Sequence, residues 1–470
     1  MPVPATNSSP PIDRSPLPMP DLDDALIRRL SRPVPRYTSY PTAPHFHDGV
    51  DSGTYARWLR ELPAETPLSL YLHIPFCDRL CWFCGCHTKQ VLRYEPIAAY
   101  LPSLAAEVRN VAQELDGRGR VTAIHFGGGS PSMLRPVDLL DLTAVLRSSF
   151  GIDAQPAFSI EIDPNDMSDD RYDGFAAAGV TRASIGVQDF DPVVQAAINR
   201  VQTPEQTRAV VDGMRAVGVA SVNLDVLYGL PFQTLDTLQG TIEHVLSMRP
   251  DRIALFGYAH VPWMKTHQRM IDEAALPDVV ARYRQAQAAA AQLTASGYVA
   301  VGMDHFALPT DDLAVAARAG RLRRNFQGYT TDDATALIGL GASAIGALPQ
   351  GYVQNVTASG AYKRLISTAG LPVARGVALT ADDRLRRHVI EQLMCNFELD
   401  VSDLRRRFGE AADGLVHEVE EYCATGTDQL ASFDGTRLTM DPARRAFVRL
   451  VAAAFDAYLV QGKQQHSLAV

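Results

Sequence analysis

Short apolar and β-branched runs alternate with longer amphipathic stretches through the middle of the chain. The runs predict strands at 68–75, 123–129, 158–164, 182–188, 221–231 and 252–259. Between them, apolar residues recur with helical spacing over 99–115, 136–150, 203–218 and 234–248. Strands that alternate with helices at this spacing predict βα units around a parallel sheet.

Polar or glycine residues stand at the carboxyl ends of nearly all of these strands, namely Gly127–Gly129, Glu161, Gln188, Asp225 and Tyr258. The carboxyl ends of barrel strands carry the chemistry in (β/α) folds. We therefore predict an α/β protein with a partial (β/α)6 TIM-like barrel. A seventh extended run at 298–307 follows an Ala-rich helix at 277–297.

The pattern differs towards the N-terminus. Residues 1–20 contain seven prolines and no apolar signal-peptide core, which predicts a disordered tail. A short helix is expected at 21–32, and the Pro- and Tyr-rich segment 35–44 predicts an extended arm. We divide this region into a tail at 1–31 and an arm at 32–66.

The pattern changes again near Thr380. Helices are expected at 382–395, 401–408 and 414–423, then a hairpin turning at Asp434-Gly435 and a last helix at 442–460. This order is typical of a winged-helix arrangement. We predict a barrel with its extension at 67–375 and a mainly helical, winged-helix-like domain at 376–470.

Composition and charge narrow the classes of function. The 470 residues are 46% hydrophobic and 21% charged, with a net charge of −9, as in an ordinary soluble protein. The triple arginine 405–407 is followed closely by four glutamates, so we expect no nucleic-acid partner. The best apolar stretch, 447–460, is interrupted by Arg449 and Asp456, so we expect no membrane span. The clustered cysteines suit a reducing compartment and the tail does not resemble a signal peptide, so we expect a cytoplasmic protein.

Four of the six cysteines lie between residues 77 and 86. Structural zinc usually takes two separated pairs of ligands. Cys77, Cys81 and Cys84 form one series directly after a strand, and three thiolates on one loop can hold three irons of a 4Fe–4S cluster. The fourth iron is then open to a chelating ligand. A zinc loop using all four cysteines, with His73 or His87, is the alternative.

A resemblance to known protein families rests on several motifs, namely RYTSYPTA, the cysteine series, HFGGGSP, EIDP, GVQDF, LDVLYGLP, MDHF and NFQGYTT. The cysteine series and its position resemble the radical S-adenosylmethionine (SAM) superfamily. The fuller set, from about Arg36 into the C-terminal region, resembles the oxygen-independent coproporphyrinogen III oxidase family. The resemblance implies conversion of two propionates of coproporphyrinogen III to vinyl groups by a 5′-deoxyadenosyl radical, giving protoporphyrinogen IX in haem biosynthesis.

Two alternatives to the oxidase activity remain. A haem chaperone of the same subgroup shares the barrel but typically lacks RYTSYPTA and has an aromatic residue in place of Cys86, so both features favour the oxidase. A zinc-stabilised adaptor is the third hypothesis.

The resemblance also implies site residues. Cys77, Cys81 and Cys84 would hold the cluster, and Arg36, Tyr37 and Cys86 would act in catalysis. Two molecules of SAM would contact Tyr71, Phe83, Gly128, Gly129, Ser130, Glu161, Gln188, Arg200, Asp225, Ala259 and Ile345. The glycines lack a Cβ, so their backbone can approach the cofactor and offer N–H donors.

The resemblance further implies a substrate with four propionates, for which Arg36, Lys89, Arg323 and Arg324 are candidate anchors. Leu308 stands where the family has Arg, so one propionate contact is expected to be missing or supplied elsewhere. An electron donor such as a flavodoxin or ferredoxin is implied. We expect a monomer.

Overall fold

The computed structural model describes residues 22–459 and Leu468. The disordered tail predicted for the first twenty residues lies outside the described residues. No helix in the described part of the chain is long and apolar enough to cross a membrane.

A mixed sheet forms the centre of the molecule. Its twelve strands, numbered along the chain, are β1 (Pro67–Ile74), β2 (Arg120–Gly128), β3 (Ile152–Ile162), β4 (Arg182–Gln188), β5 (Ser221–Tyr228), β6 (Arg252–Gly257), β7 (Val299–Val301), β8 (His305–Ala307), β9 (Ala336–Leu340), β10 (Ile345–Leu348), β11 (Gly351–Asn355) and β12 (Val373–Ala378). The predicted series of six parallel strands, β1 to β6, is confirmed in chain order.

The remaining strands extend the sheet on both sides of the parallel series. The order is β12-β11-β10-β9-β1-β2-β3-β4-β5-β6-β8-β7. β9 runs parallel to β1, whereas β10, β11 and β12 add in antiparallel fashion. The seventh extended run of the sequence is two short strands, β7 and β8, which form a hairpin antiparallel to β6.

The strands form where the sequence predicts them because one face of each strand is buried and the other is partly accessible. In β4, Ala183, Ile185 and Val187 are almost fully buried, whereas the residues between them are partly accessible. β5 repeats the alternation, with Val222, Leu224 and Val226 fully buried. The apolar set belongs to the main hydrophobic core, which includes residues of the flanking helices. The polar set faces the other way, and Ser184 and Asp225 hydrogen-bond across it.

The α-helices of the described residues are Asp24–Leu30, Ser52–Arg60, Glu95–Ala98, Leu101–Leu115, Pro136–Ser149, Asp169–Ala178, Pro192–Ala197, Pro204–Ala216, Leu235–Ser247, Val279–Ala295, Asp312–Arg318, Ser359–Ala369, Ala381–Asn396, Val401–Phe408, Ala412–Thr425 and Val448–Ala454. Side-chain caps begin several of them; Thr203 accepts from the backbone N–H of Gln206 (3.1 Å).

The C-terminal region has the predicted order of helices and hairpin. Strands Glu398–Asp400, Ala431–Phe433 and Arg437–Met440 form a small sheet, with Gly435 at φ +94° in the turn. The last helix differs from the prediction, since 442–447 is a 3-10 helix and the α-helix spans only Val448–Ala454.

Two predicted domain boundaries need correction. Residues 24–30, placed in the tail, form a helix whose Ile27 and Leu30 are fully buried against the C-terminal core, because these two apolar residues lie one turn apart. The boundary at 375/376 falls inside β12, which pairs with β11 as far as Ala378.

Candidate active site

The cysteine loop leaves the carboxyl end of β1. Cys77 lies in a two-residue strand with Phe76, and the Cys86 N–H donates to Cys84 Sγ (3.4 Å). Hydrogen bonding from Cys86 lowers the pKa of Cys84, whereas burial raises the pKa of Cys81. In the described residues, no three His, Cys, Asp or Glu side chains are arranged to hold a metal ion. The assignment of Cys77, Cys81 and Cys84 as ligands therefore stays a prediction.

The glycine turn at the end of β2 packs directly against this loop. Gly128 has φ +110°, and a Cβ there would lie 2.3 Å from the His73 ring. The N–H groups expected to face the cofactor are used within the protein: Gly128 donates to Glu161 Oε2 (2.9 Å), Gly129 to Ile74 O (2.9 Å) and Ser130 to Phe76 O (2.7 Å). The expectation of free donors here is wrong, since Gly129 and Ser130 bond the start of the cysteine loop and Gly128 bonds Glu161 on β3.

Polar side chains line the inner face at the carboxyl ends of β1 to β5. Tyr71 stacks on His125, with ring centroids 5.7 Å apart, and His125 Nε2 donates to Glu161 Oε1 (3.2 Å). Burial opposes the charge of Glu161, but the His125 and Gly128 hydrogen bonds hold its pKa below the usual value. Burial raises the pKa of Asp225 to about 6, although Ser184 Oγ donates to Asp225 Oδ2 (3.0 Å).

Arg200 ties three parts of this site together. Its Nη1 donates to Asp163 Oδ2 (2.9 Å) and lies 3.7 Å from Cys81 Sγ, and its Nη2 donates to Gly186 O (2.8 Å). Both Nη atoms of Arg200, one of the implied SAM contacts, therefore already have partners within the protein. Arg200 Nε and, on β5, Asn223 Oδ1 are buried and have no hydrogen-bond partner among the described residues, as in a site that receives a polar molecule.

The segment 261–270, which follows β6, donates side-chain hydrogen bonds to backbone carbonyl groups of the cysteine loop. Lys265 Nζ donates to Cys86 O (3.0 Å), His267 Nε2 to Cys84 O (2.8 Å) and Gln268 Nε2 to Phe83 O (2.9 Å). Gln268 Nε2 also donates to Ala259 O (3.1 Å). Two implied cofactor residues, Phe83 and Ala259, are thus joined through one side chain.

A cavity of about 1120 Å³ adjoins the cysteine loop, with Phe83, Cys84 and Cys86 in its wall. Its apolar lining includes Leu255, Phe256, Met303 and Phe326. Arg36, Arg282, Arg324, Arg445 and Arg449 also line it. Arg324 Nε and Nη1 and Arg282 Nε are buried without a hydrogen-bond partner in residues 22–459 and 468.

The structure brings only some of the substrate candidates to this cavity. Arg36 and Arg324 line it, but Arg323 pairs with Glu391 (3.5 Å) beside a smaller cavity, and Lys89 lies in a short exposed strand outside the wall. The Tyr37 hydroxyl is buried and donates to Asp456 Oδ2 (3.0 Å), so this tyrosine anchors the arm and does not line the large cavity.

Leu308 is not part of the cavity wall, although Ala300 and Phe306 on the neighbouring hairpin are. Its N–H donates to Asp251 O (3.0 Å), at the amino end of β6. The expectation that a propionate contact is missing at Leu308 or supplied elsewhere stays a prediction.

The remaining implied cofactor residues lie on the parallel strands near their carboxyl ends, or on the neighbouring strand β10. Tyr71 pairs with Gly339 of β9, and a Cβ on Gly339 would lie 2.6 Å from the carbonyl of Ile345. Gln188 ends β4 with φ +67°. The sequence analysis does not predict a role for Arg282, Arg445, Arg449 or the segment 261–270. The one signal is Arg449, because it is the single arginine within the apolar stretch 447–460.

The fold and the cysteine loop define the radical SAM class. The Radical SAM superfamily matches residues 71–245, and the HemN C-terminal domain matches 379–446. A relative from Bradyrhizobium diazoefficiens, named oxygen-independent coproporphyrinogen III oxidase, is 50% identical over 437 residues, 93% of this chain and 97% of that protein. A relative of the same name from Pseudomonas aeruginosa is 40% identical over 444 residues, 93% and 96% of the two chains.

A solved structure, coproporphyrinogen III oxidase (HemN) from Escherichia coli, superposes with a TM-score of 0.88 at 38% identity. The match covers 94% of this chain and all of that one. The chain therefore belongs to the oxygen-independent coproporphyrinogen III oxidase family. Membership implies a 4Fe–4S cluster and SAM. Three thiols on one loop are by their chemistry the donor set of such a cluster, and the buried, unpartnered Arg200 Nε and Asn223 Oδ1 suit a polar cofactor.

Proposed function

We propose that the protein catalyses the anaerobic oxidative decarboxylation of coproporphyrinogen III to protoporphyrinogen IX. Each of two propionates loses one β-hydrogen atom, one further electron and CO2, and becomes a vinyl group. The 4Fe–4S cluster and SAM, when bound, supply the one-electron chemistry that removes a hydrogen atom from carbon. The protein binds the substrate, orients one propionate at a time and excludes water and O2.

One observation carries this proposal: the wall of a single large cavity contains both the cysteine loop and several arginines. A tetrapyrrole with four propionates requires an apolar surface for its rings and cations for its carboxylates. Arg324 and Arg282 have buried donor atoms without partners among the described residues, and Arg36 donates from Nη2 to Gly257 O (2.8 Å). We assign these three arginines as propionate anchors.

The implied cofactor residues form the second part of the proposal. Glu161 and Asp225 would accept hydrogen bonds from amino or hydroxyl groups of SAM, and Tyr71 would present its ring. We propose two bound SAM molecules, one at the cysteine loop and one towards the cavity. Cys86, which is exposed and lines the cavity, would act on the substrate and would not bind iron.

The setting of the reaction follows from the same residues. Six free cysteines suit a reducing compartment, so we place the enzyme in the cytoplasm, acting as a monomer with an external one-electron donor. The N-terminal arm would cover the cavity, because Arg36 and Thr38 form part of its wall.

The test is an anaerobic assay with reductant, SAM and coproporphyrinogen III on protein that holds a full cluster. We expect two CO2 per protoporphyrinogen and 5′-deoxyadenosine in proportion, all lost in Cys77→Ala and kept in Cys423→Ala, a cysteine remote from the loop. Haem binding without decarboxylated product, while SAM cleavage proceeds, would favour the chaperone.

A further inference from the structure

One carboxylate stands among the cations of the large cavity. Of the described residues that line its wall, Asp304 is the only acid, whereas several arginines line the same space. Asp304 lies in the turn between β7 and β8, and its backbone O accepts from the N–H of Leu255 on β6 (2.8 Å). Because β8 runs antiparallel to β6, this turn lies towards the carboxyl end of β6, where Arg36 donates to Gly257 O. The carboxylate therefore belongs to the end of the sheet from which the cysteine loop leaves.

The carboxylate of Asp304 is ionised, and only one of its oxygens is bonded. His305 Nδ1 donates to Asp304 Oδ1 (2.6 Å), whereas Oδ2 has no hydrogen-bond or ion-pair partner among the described residues. Burial opposes the charge, but the His305 hydrogen bond and the positive charges of Arg324 and Arg36 hold the pKa of Asp304 below its usual value. Oδ2 is therefore the atom available to a bound molecule.

His305 fixes the direction of this carboxylate. The His305 ring meets the rings of Phe256 and Tyr329 edge-on, with centroids 5.4 Å apart in both pairs. Because the imidazole is held from two sides, the carboxylate that it bonds cannot turn freely. Asp304 thus presents a fixed, charged acceptor in a wall that is otherwise apolar or cationic.

An ionised carboxylate in this wall repels a substrate with four propionates, unless that substrate also donates hydrogen bonds to it. When its propionates are ionised, coproporphyrinogen III has donors only in the N–H groups of its four pyrrole rings. These groups lie at the centre of the macrocycle and the propionates at its rim, so Asp304 and the arginines can bind different parts of one molecule. We propose that Asp304 Oδ2 accepts hydrogen bonds from the pyrrole N–H groups of the porphyrinogen, and that this contact selects the reduced macrocycle.

The selection follows from the shapes of the two redox states. Saturated carbon bridges join the rings of a porphyrinogen, so each pyrrole can tilt and turn its N–H towards the same face. A porphyrin is conjugated and flat, and its two N–H groups point into the ring centre, away from an acceptor above the plane. A site built to accept from an N–H discriminates against a ligand that cannot supply it, because the acceptor is left unpaired. The inference rests on the proposed function for the identity of the substrate.

The experiment measures equilibrium binding of coproporphyrinogen III and of coproporphyrin III to the reconstituted full-length protein. Binding is followed anaerobically by ultrafiltration without SAM or reductant, and the porphyrinogen is oxidised afterwards and quantified by its fluorescence. In Asp304→Ala we expect the affinity for the porphyrinogen to fall about tenfold or more, as for loss of hydrogen bonds to a charged acceptor. The affinity for the porphyrin should not fall, because it makes no such bond.

Three further variants separate this role from a general effect of charge. Asp304→Asn keeps the volume and one acceptor oxygen, so its porphyrinogen affinity should lie between those of the wild type and Asp304→Ala. Arg324→Met should weaken both ligands alike, because both carry the same propionates. Glu273→Ala is the matched control, since Glu273 also pairs with a histidine, His260 (3.0 Å), but is not among the described residues of the wall. Iron content and the thermal unfolding midpoint show whether each variant is folded.

Unchanged porphyrinogen affinity in the two Asp304 variants would overturn the proposal. An equal loss for the two ligands would also overturn it, because that result is expected if Asp304 only balances the charge of the arginines. A preference of the wild type for the flat macrocycle would overturn it as well. Asp304-dependent binding of the porphyrinogen, with no decarboxylated product in the turnover assay, would reject the proposed function and leave the assignment of Asp304 standing.

Discussion

Replacing Arg200 tests the centre of the site most directly. Its guanidinium joins Asp163 on the loop after β3, Gly186 on β4 and Cys81, and the side chains of Arg200 and Asp163 are 9% and 10% exposed. Arg200→Met leaves the Asp163 carboxylate buried with only the N–H donors of Asn165 (3.0 Å). Gly186 O keeps the Gln202 Nε2 donor (3.0 Å), so the free-energy loss comes mainly from the broken ion pair.

Breaking a buried pair from one side costs about 3–5 kcal/mol. We expect the free energy of unfolding of Arg200→Met to fall by about this amount and its bound iron to fall as well. Arg200→Lys keeps the charge but loses one charged hydrogen bond, a loss of about 1.5–3 kcal/mol. Denaturant unfolding of the iron-free protein and iron analysis after reconstitution measure the two effects.

Arg252→Met is the matched control. Arg252 pairs with Asp311 (2.8 Å), with side chains 13% and 7% exposed, at the amino end of β6. It should lose similar stability while binding a full complement of iron. Adding Asp163→Asn to Arg200→Met should recover part of the stability, because no unpaired charge then remains. Full iron in Arg200→Met, or a stability loss below about 1 kcal/mol, would refute the reasoning.

Three further predictions concern single residues. Cys86→Ser should keep cluster iron near the wild-type value but impair turnover; iron loss as severe as in Cys84→Ala would make Cys86 a ligand. Gly128→Ala should lower the unfolding free energy by about 2–4 kcal/mol, because the left-handed backbone and the His73 ring both oppose a Cβ; an unchanged denaturation midpoint would contradict this. SAM binding should weaken as the pH falls below about 6, because Asp225 is then protonated, and equilibrium binding measures this. Asp225→Asn should remove the pH dependence. Because the pKa of Asp225 is raised in the folded protein, its contribution to the free energy of unfolding is lost as the pH rises from about 4 to about 6.

The strand series could be predicted because each strand carries its own period, as Ala183, Ile185 and Val187 do in β4. The cysteine loop could be predicted because its spacing is local. Long-range partners could not: Arg282 lies in an Ala-rich helix and has no neighbour in sequence that marks it as part of a cavity wall.

Close packing and hydrogen bonding within the protein explain why the prediction at the glycine turn is wrong. The lack of a Cβ at Gly128 and Gly129 predicts access for a ligand, whereas the space is taken by His73 and by the backbone around Phe76. Sequence shows that a backbone can approach something closely, but it does not show what. The same limit applies to Tyr37, whose hydrogen-bond partner Asp456 is 419 residues away in the sequence.

The anchoring of the arm has a consequence for biosynthesis. Arg449 Nε donates to Pro35 O (2.9 Å) and Tyr37 to Asp456, so the segment that carries Arg36 takes its place only against residues translated much later. We therefore expect the part of the cavity wall that Arg36 and Thr38 form to be completed only after the C-terminal region has been made.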